Sequence, residues 1–270
     1  VSGCKSSPTA ENVEDSQAIT PVGTIEVKSS ETTSKTPTAV TSSADTNSSS
    51  TEASTYSVQP GEFNLYPRET NGWDEGGWSI ITPSEDSRLI YVSSSAGDDE
   101  TAEFYAPRDV ANVEDPGSIK PFKTIQAANS NARDGYPDWI LLLKGDTWEV
   151  HDNIQLKIGR SVTERSVITS YGLGGQRPMI KSDANETFRI WSYRRYVAIT
   201  GLAFYAYKRD PASTEFSGWG QVAESTAIRM YSPKDSVMGT VLLEGNDFNY
   251  FSKGITINGG GDVLDVVIRR

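Results

Sequence analysis

The chain has 270 residues, a formal net charge of −11 and an isoelectric point of about 4.7. This acidity argues against a nucleic-acid ligand and against electrostatic adsorption to anionic lipid, although an acidic protein can still carry a local basic groove. A single cysteine excludes an internal disulfide, and a single histidine argues against a zinc site of the usual ligand set. No segment approaches the roughly 18 apolar residues that a membrane-spanning helix needs.

Residues 1–57 are rich in serine and threonine and show no apolar periodicity. Such a segment buries too little apolar surface to offset its ordering entropy, and we predict a disordered tether. The residues Val-Ser-Gly-Cys at 1–4 resemble the end of a bacterial lipoprotein signal, or lipobox. The resemblance implies lipid attachment to Cys4, truncation upstream of this cysteine, and, from Lys5, sorting to the outer membrane. The alternative is an ordinary free cysteine in a flexible tail.

Residues 58–88 are too aromatic for a linker and are predicted to pack along the outside of the following domain. Large aromatic side chains contribute roughly 1.5–3 kcal/mol each when buried, which favours packing over exposure. The alternative is a sugar-stacking platform formed by Trp73 and Trp78.

Residues 121–148 combine a helix pattern with a strand pattern. Apolar residues recur at spacings of three, three and four from Phe122 to Ala132, which places them on one helix face, and Pro121 suits the first helical position. The apolar run at 139–143 precedes a Lys-Gly-Asp turn, as expected of a buried strand. We therefore predict a short helix that covers one end of a stack of strands.

The same residues, Pro-Phe-Lys-Thr-Ile-Gln-Ala-Ala at 121–128 and the run ending in Gly-Asp-Thr-Trp at 148, resemble the entry of right-handed parallel β-helix proteins of the pectate-lyase-like kind. In that group such a helix caps the N-terminal end of the solenoid and such a strand opens the first coil. The resemblance implies an all-β fold: a right-handed parallel β-helix over residues 89–270 with an N-terminal capping helix, preceded by the disordered tether.

Short apolar runs then return along the chain. After Ile140, the main runs start at Val167, Val197, Val241 and Val266, at intervals of 27, 30, 44 and 25 residues. A repeat of roughly 25–30 residues with two or three short strands suits one coil of a parallel β-helix, whose inward side chains are buried only by stacking. The interval of 44 residues predicts an inserted loop at 205–226.

Two other folds compete with the solenoid. A β-sandwich also has many short strands separated by turns. The recurrence of Gly-Leu-x-Phe at 201–204 as Gly-Asn-x-Phe at 245–248, together with the capping helix, favours the solenoid. A Rossmann-like α/β fold is disfavoured because only one convincing helix pattern is present. The chain stops at Arg270 beside an apolar strand run with no cap pattern, and we expect it to be a fragment of a longer protein.

The inserted loop and its neighbours contain the candidate ligand contacts. Basic residues there suit an anionic sugar chain, and tyrosines suit stacking on sugar rings; the alternative is a solvated loop whose aromatic residues pack on the solenoid. The candidate residues are Arg194, Arg195, Tyr205, Tyr207, Lys208, Arg209 and Trp219.

Other sites receive weaker support from the sequence. Glu244, Asp247 and Asp262 form a candidate oxygen-ligand set for Ca²⁺, against the alternative of solvated turn residues, and no other cofactor is predicted. His151 lacks any nucleophile motif and is interpreted as a surface residue. No catalytic motif is identified.

The resemblance implies a polysaccharide-acting protein of the bacterial cell envelope, either an outer-membrane lipoprotein or secreted. Proteins of this kind are often polysaccharide lyases or glycoside hydrolases. The expected ligand is therefore a polysaccharide, with uronate-containing polymers among the candidates, and the expected membrane contact is the lipid on Cys4. A non-catalytic solenoid that binds glycan or a partner is the competing hypothesis, because fold alone does not decide function.

Overall fold

The computed structural model describes residues 77–219 and 223–270. The predicted tether at 1–57, the lipobox with Cys4 and the first part of the aromatic segment at 58–88 lie outside the described residues, so these stay predictions. Among the described residues, no helix has the length and apolar character needed to cross a membrane.

The described residues form fourteen β-strands in three sheets and one α-helix, α1 (Ile125–Asn131). Sheet 1 consists, in order, of β1 (Leu89–Val92), β2 (Trp139–Leu143), β5 (Ser166–Tyr171), β8 (Arg195–Thr200), β11 (Val237–Glu244) and β14 (Asp262–Arg269). Sheet 2 consists of β3 (Thr147–Val150), β6 (Met179–Ser182), β9 (Ala203–Tyr205) and β12 (Asp247–Asn249). Sheet 3 consists of β4 (Ile154–Gln155), β7 (Glu186–Trp191), β10 (Thr226–Ser232) and β13 (Lys253–Gly259).

The chain follows the same route through the three sheets on every pass. From β2 onward it visits sheets 1, 2 and 3 in that order four times and then returns to sheet 1 as β14. All pairings between these strands are parallel. The fold is therefore all-β with stacked parallel strands, as in a parallel β-solenoid, and the antiparallel sheets of a β-sandwich are absent from the described residues.

The predicted stacking of the apolar runs is confirmed by the register of sheet 1. Val241 pairs with Val197 and Leu243 with Ile199, in parallel. The recurring Gly-x-x-Phe motif also stacks, because Phe248 lies opposite Phe204 with ring centroids 5.3 Å apart. Gly201 and Gly245 both take a left-handed backbone, with φ of 68° and 64°, at the turn from sheet 1 to sheet 2. This conformation favours glycine, which explains why the motif repeats.

The interior of the solenoid is a continuous apolar core. Phe204 is fully buried in it, and its ring meets Phe188 edge-on at 5.4 Å as well as stacking on Phe248. The inward residues of all three sheets contribute to the same cluster. Because each coil alone leaves such side chains half covered, stacking of successive coils supplies most of the stabilising burial.

Sheet 1 is also buried on its outer face. Leu89, Tyr91, Trp139 and Leu141 form a second apolar cluster there, and parts of the long link between β1 and α1 pack on it. The link residues in contact are Tyr105, Val110, Val113 and Ile119. This covering explains why the link is long and why strands of sheet 1 are apolar on both faces.

A column of left-handed residues crosses sheet 1. Tyr196, Thr240 and Asp265 have φ of 60°, 52° and 51°. The register places them at the same level of β8, β11 and β14, because the residues on either side of them pair directly. Because the flanking residues stay paired one to one, this column is a left-handed kink repeated from strand to strand, without the extra residue that defines a β-bulge.

The helix begins later than the sequence pattern predicts. Pro121 is not its first residue, because the adjacent Phe122 is extended and forms a parallel bridge with Val92. The helix begins after Thr124, whose hydroxyl accepts a hydrogen bond from the Ala127 N–H. Ile125 of the helix is nevertheless buried in the main core cluster together with Phe122.

The described part of the 58–88 segment contacts sheet 1. The Trp78 ring lies so close to Gly245 that a Cβ atom added there would clash with it, and the Arg270 guanidinium lies 4.6 Å from the same ring. The Ser79 N–H donates to the Glu244 carboxylate at 3.2 Å. Trp78 therefore packs against the protein, whereas Trp73 lies outside the described residues.

Candidate functional site

The inserted loop lies where the sequence predicts it, between β9 and β10. Its described part begins with a short 3-10 turn at Tyr207–Arg209. The seven predicted ligand contacts fall into two groups. Five lie at 205–219, in or beside the inserted loop, whereas Arg194 and Arg195 lie where the chain passes from sheet 3 to sheet 1. Arg194 there is bonded to Asp134, and Arg195 is exposed.

Two of the loop residues are occupied by an internal polar cluster. Lys208 Nζ donates to Asp183 at 2.6 Å, and the same carboxylate bonds His151 Nδ1 at 2.7 Å and the Tyr207 hydroxyl. Burial by itself raises the pKa of Asp183, but the hydrogen bonds from these three side chains outweigh it and hold the pKa below its ordinary value. Tyr207 is itself buried, so it does not offer a surface for stacking.

Lys181 on β6 completes this cluster. Its Nζ donates to Glu149 at 2.7 Å, and this bond raises the pKa of Lys181 and lowers that of Glu149. Lys181 also lies 4.2 Å from the centre of the Tyr207 ring. Lys181 and Lys208 are therefore paired with carboxylates. The cluster attaches the inserted loop to sheet 2 and has little remaining positive charge with which to bind an anion.

The remaining loop candidates have different surroundings. The Tyr205 hydroxyl donates to Asp210 at 2.8 Å; burial, followed by this bond, raises the pKa of Tyr205. Arg209 donates to the carbonyl oxygens of Tyr250 and Ala223, and its guanidinium lies 5.3 Å from the centre of the Trp219 ring. Trp219 remains 60% exposed and is the predicted residue best placed for a ligand.

The three carboxylates predicted as a calcium set are not brought together. Glu244 is buried beside Arg269, at 2.5 Å, whereas Asp247 pairs with Arg177 at 2.7 Å on the surface. Asp262 lies at the start of β14 and Glu244 at the end of the neighbouring β11, opposite Arg269. Strand geometry separates these two ends by seven residues, or about 23 Å. No group of three or more metal-binding side chains occurs anywhere in the part of the chain that the structure describes.

The outward face of sheet 3 carries a second cluster, which the sequence analysis missed. Arg189 on β7 and Arg229 on β10 are paired in register, one coil apart. Both guanidinium groups bond the Glu186 carboxylate, which Arg229 Nη1 reaches at 2.9 Å. Two arginines sharing one carboxylate leave a net positive charge on this face, although the whole protein is acidic.

Each of these two strands also carries an outward aromatic residue beyond its arginine. Trp191 and Tyr231 are in register two residues beyond the arginines, with ring centroids 5.1 Å apart. Arg189 lies over the Trp191 ring at 4.9 Å, and Arg229 lies 5.8 Å from the centre of the Tyr231 ring. The face therefore presents two guanidinium groups held by stacking next to two flat apolar surfaces.

Several buried polar atoms beneath this face have no hydrogen-bond partner in the described part of the chain. The Trp191 Nε1, Arg229 Nε and Thr256 Oγ1 atoms are buried and have no hydrogen-bond partner among the described residues. Thr256 lies on β13 directly opposite Arg229, so these atoms belong to three neighbouring strands. Buried polar groups are normally paired, and such a concentration of exceptions calls for an explanation. Positive charge and aromatic surface make this face, the sheet 3 face, the candidate functional site.

A sequence signal for the sheet 3 face does exist. Residues 188–191, Phe-Arg-Ile-Trp, and 228–231, Ile-Arg-Met-Tyr, share an alternation in which the apolar members point inward. The arginine and the aromatic residue then point outward at matching positions of successive coils. Aligning these two runs marks the outward arginines and aromatic residues as candidates, but only the strand register shows that they are neighbours.

Comparisons of the chain with protein-family models, with curated proteins and with solved structures find no match.

Proposed function

We propose that the protein is a polysaccharide-binding solenoid of the bacterial cell envelope and that its sheet 3 face binds an acidic glycan. The observation that carries the proposal is the in-register pair Arg189 and Arg229, stacked on Trp191 and Tyr231. Guanidinium groups bind carboxylates and sulfates through charge-assisted hydrogen bonds, and aromatic rings stack on the C–H faces of sugars.

The proposal includes the finer features that the sequence resemblance implies. The solenoid is taken to be a right-handed parallel β-helix of the pectate-lyase-like kind, closed at its N-terminal end by α1. Burial of Ile125 and Ala128 in the same cluster as Ile90 and Val92 supports this role for the helix. A lipid on Cys4 and the serine- and threonine-rich tether would hold the domain at the outer membrane.

Binding can be tested with the whole chain and a panel of alginate, pectate and glycosaminoglycans. Arg229→Ala is expected to weaken binding of the preferred polymer by about tenfold or more, since a hydrogen bond to a charged group contributes roughly 1.5–3 kcal/mol. Arg177→Ala is the matched control, because this arginine also pairs with a carboxylate, that of Asp247, but lies two residues before β6 of sheet 2. Equal losses in the two variants, or no binding to any acidic polymer, would contradict the proposal.

A polysaccharide lyase is the second candidate, and the position of the arginine pair favours it. Lyases remove the proton next to a uronate carboxylate, and positive charge must stabilise the enolate-like intermediate. Arg189 and Arg229 supply such charge on successive coils of one face. An increase in absorbance from unsaturated products, abolished by Arg229→Ala, would establish a lyase. Binding without product across the panel would leave the non-catalytic solenoid.

The lipid anchor has its own test. Cells expressing the protein from its natural precursor are grown with a radioactive fatty acid, and the purified protein is expected to carry label. Cys4→Ser should abolish the label. Retention of label in this variant would show that the anchor, if any, lies elsewhere.

A further inference from the structure

We infer that the ligand site extends beyond the sheet 3 face to an aromatic platform on the inserted loop, so that the protein binds a chain of several sugar units lying along the strands. The inference rests on the proposed function and adds to it the length and direction of the bound glycan. The platform consists of Trp219, Phe216 and Tyr250, together with the supporting Arg209.

Trp219 is fixed in place yet exposed. One side of its ring faces the Arg209 guanidinium at 5.3 Å, and the Phe216 ring meets it edge-on at 5.1 Å. Arg209 is in turn held by the carbonyl oxygens of Tyr250, at 3.1 Å, and Ala223, at 3.0 Å. With 60% of its surface exposed, Trp219 offers a stacking surface that these contacts hold in position.

Tyr250 adds a second exposed ring held in an uncommon conformation. Its φ is 62°, a left-handed value that tyrosine rarely adopts, and the residue is 48% exposed. Its ring contacts Tyr205 edge-on, with centroids 6.0 Å apart. Backbone strain of this kind persists where the surrounding structure enforces it, and here it sets the direction of the exposed ring.

The platform lies at the corner between sheets 2 and 3, beside the starts of the sheet 3 strands, because Tyr250 directly follows β12 and its ring contacts Tyr205 of β9. Ala223 and Tyr250, which hold Arg209, each precede a strand of sheet 3 by three residues, namely β10 at Thr226 and β13 at Lys253. Tyr231 lies at the other end of β10, five residues after Thr226, which corresponds to a span of about 17 Å. Aromatic surfaces therefore bracket the arginines at both ends of the strands.

This order of surfaces defines the class of ligand. A glycan that stacks at both ends and places an acidic group over Arg189 and Arg229 must be an oligomer, because the span far exceeds one sugar ring. It must also run along the strands, perpendicular to the direction in which the coils stack. The inferred ligand is thus an extended acidic polysaccharide recognised over several consecutive units.

The inference is tested by the dependence of affinity on ligand length. Oligosaccharides of two and eight sugar units are prepared from the acidic polysaccharide that the full-length protein binds most tightly. Their dissociation constants are measured by calorimetry. Trp219→Ala is expected to weaken binding of the eight-unit oligomer by about tenfold and to change binding of the two-unit oligomer by less than about twofold. Arg229→Ala is expected to weaken binding of both.

Phe104→Ala is the matched control, because this aromatic residue is 45% exposed but lies over Arg88, away from sheet 3. It should bind both oligomers as the wild type does. An unchanged constant for the eight-unit oligomer in Trp219→Ala, or equal losses for both lengths, would overturn the extended site while leaving the sheet 3 face intact. Failure of the wild type to bind any oligomer would overturn the proposed function itself.

Discussion

Glu244, which the sequence suggests as a metal ligand, is in the structure a buried partner of Arg269. Its substitution tests this structural role. Its side chain is 2% exposed, and its carboxylate meets Arg269 Nη2 at 2.5 Å, Arg270 Nε at 3.6 Å and the Ser79 N–H at 3.2 Å. The structure therefore makes it the anchor that joins β14 and the residues preceding β1 to β11. Glu244→Gln removes the charge and keeps the approximate shape.

The expected cost of Glu244→Gln follows from these contacts. Removing one partner of a buried ion pair typically costs about 3–5 kcal/mol, because the remaining charge is left without its counterion. Glutamine still accepts the bond from Ser79, and the Arg269 side chain is 21% exposed and can gain some hydration. We therefore expect the lower end of the range, about 3 kcal/mol of lost unfolding free energy.

Asp247→Asn is the matched control. It also replaces a carboxylate of the predicted calcium set by its amide, but at the protein surface. The Asp247 side chain is 52% exposed in its pair with Arg177, and such surface pairs contribute less than about 1 kcal/mol. Urea unfolding followed by far-ultraviolet circular dichroism would measure both variants, with slopes compared because coils of a solenoid can unfold separately. Equal losses in the two variants, together with calcium stabilisation of the wild type alone, would refute this reasoning and restore a metal site.

Three further predictions follow from the core, the buried tyrosines and the helix cap. Phe204→Ala is expected to lower the unfolding free energy by about 3–5 kcal/mol, because the fully buried ring stacks between two coils, and a urea midpoint close to that of the wild type would contradict the stacking. Burial, followed by the nearby Asp146 charge, raises the pKa of Tyr171 from 10.0 to about 12. The unfolded chain loses the Tyr171 proton near pH 10 and the folded protein only near pH 12, so the contribution of Tyr171 to the unfolding free energy is fully present below pH 10 and is lost as the pH rises toward 12. Tyr171→Phe should make this alkaline loss smaller in melts recorded from pH 8 to 12, and an unchanged loss would exclude Tyr171 as its source. Asp99→Ala should cost about 1–2 kcal/mol in urea unfolding, because the Asp99 carboxylate accepts hydrogen bonds from the N–H and hydroxyl of Thr124 at the helix start, and a loss no larger than that of an exposed acidic residue would count against this cap.

The candidate site shows where reasoning from the sequence reached its limit. The inserted loop lies at the predicted position and Trp219 is exposed on it, whereas contact between Trp219 and a ligand stays a prediction. Tyr207 and Lys208 have the composition of a sugar site, but Asp183 from a neighbouring coil already satisfies both. Which partner a polar side chain meets depends on residues distant in the chain, so composition alone could not separate the loop anchor from a binding surface.

The repeating strands, the inward-facing residues and the position of the insertion can be predicted from the amino-acid sequence. These features follow from local alternation and from the return of the same motif, as in the phenylalanines Phe204 and Phe248. The folded coils were needed to show that Arg189 and Arg229, separated by an inserted loop, lie on adjacent coils of an outward face. The physical reason is that parallel stacking is insensitive to the length of the connection between coils, so distance along the chain carries no information about which outward side chains become neighbours.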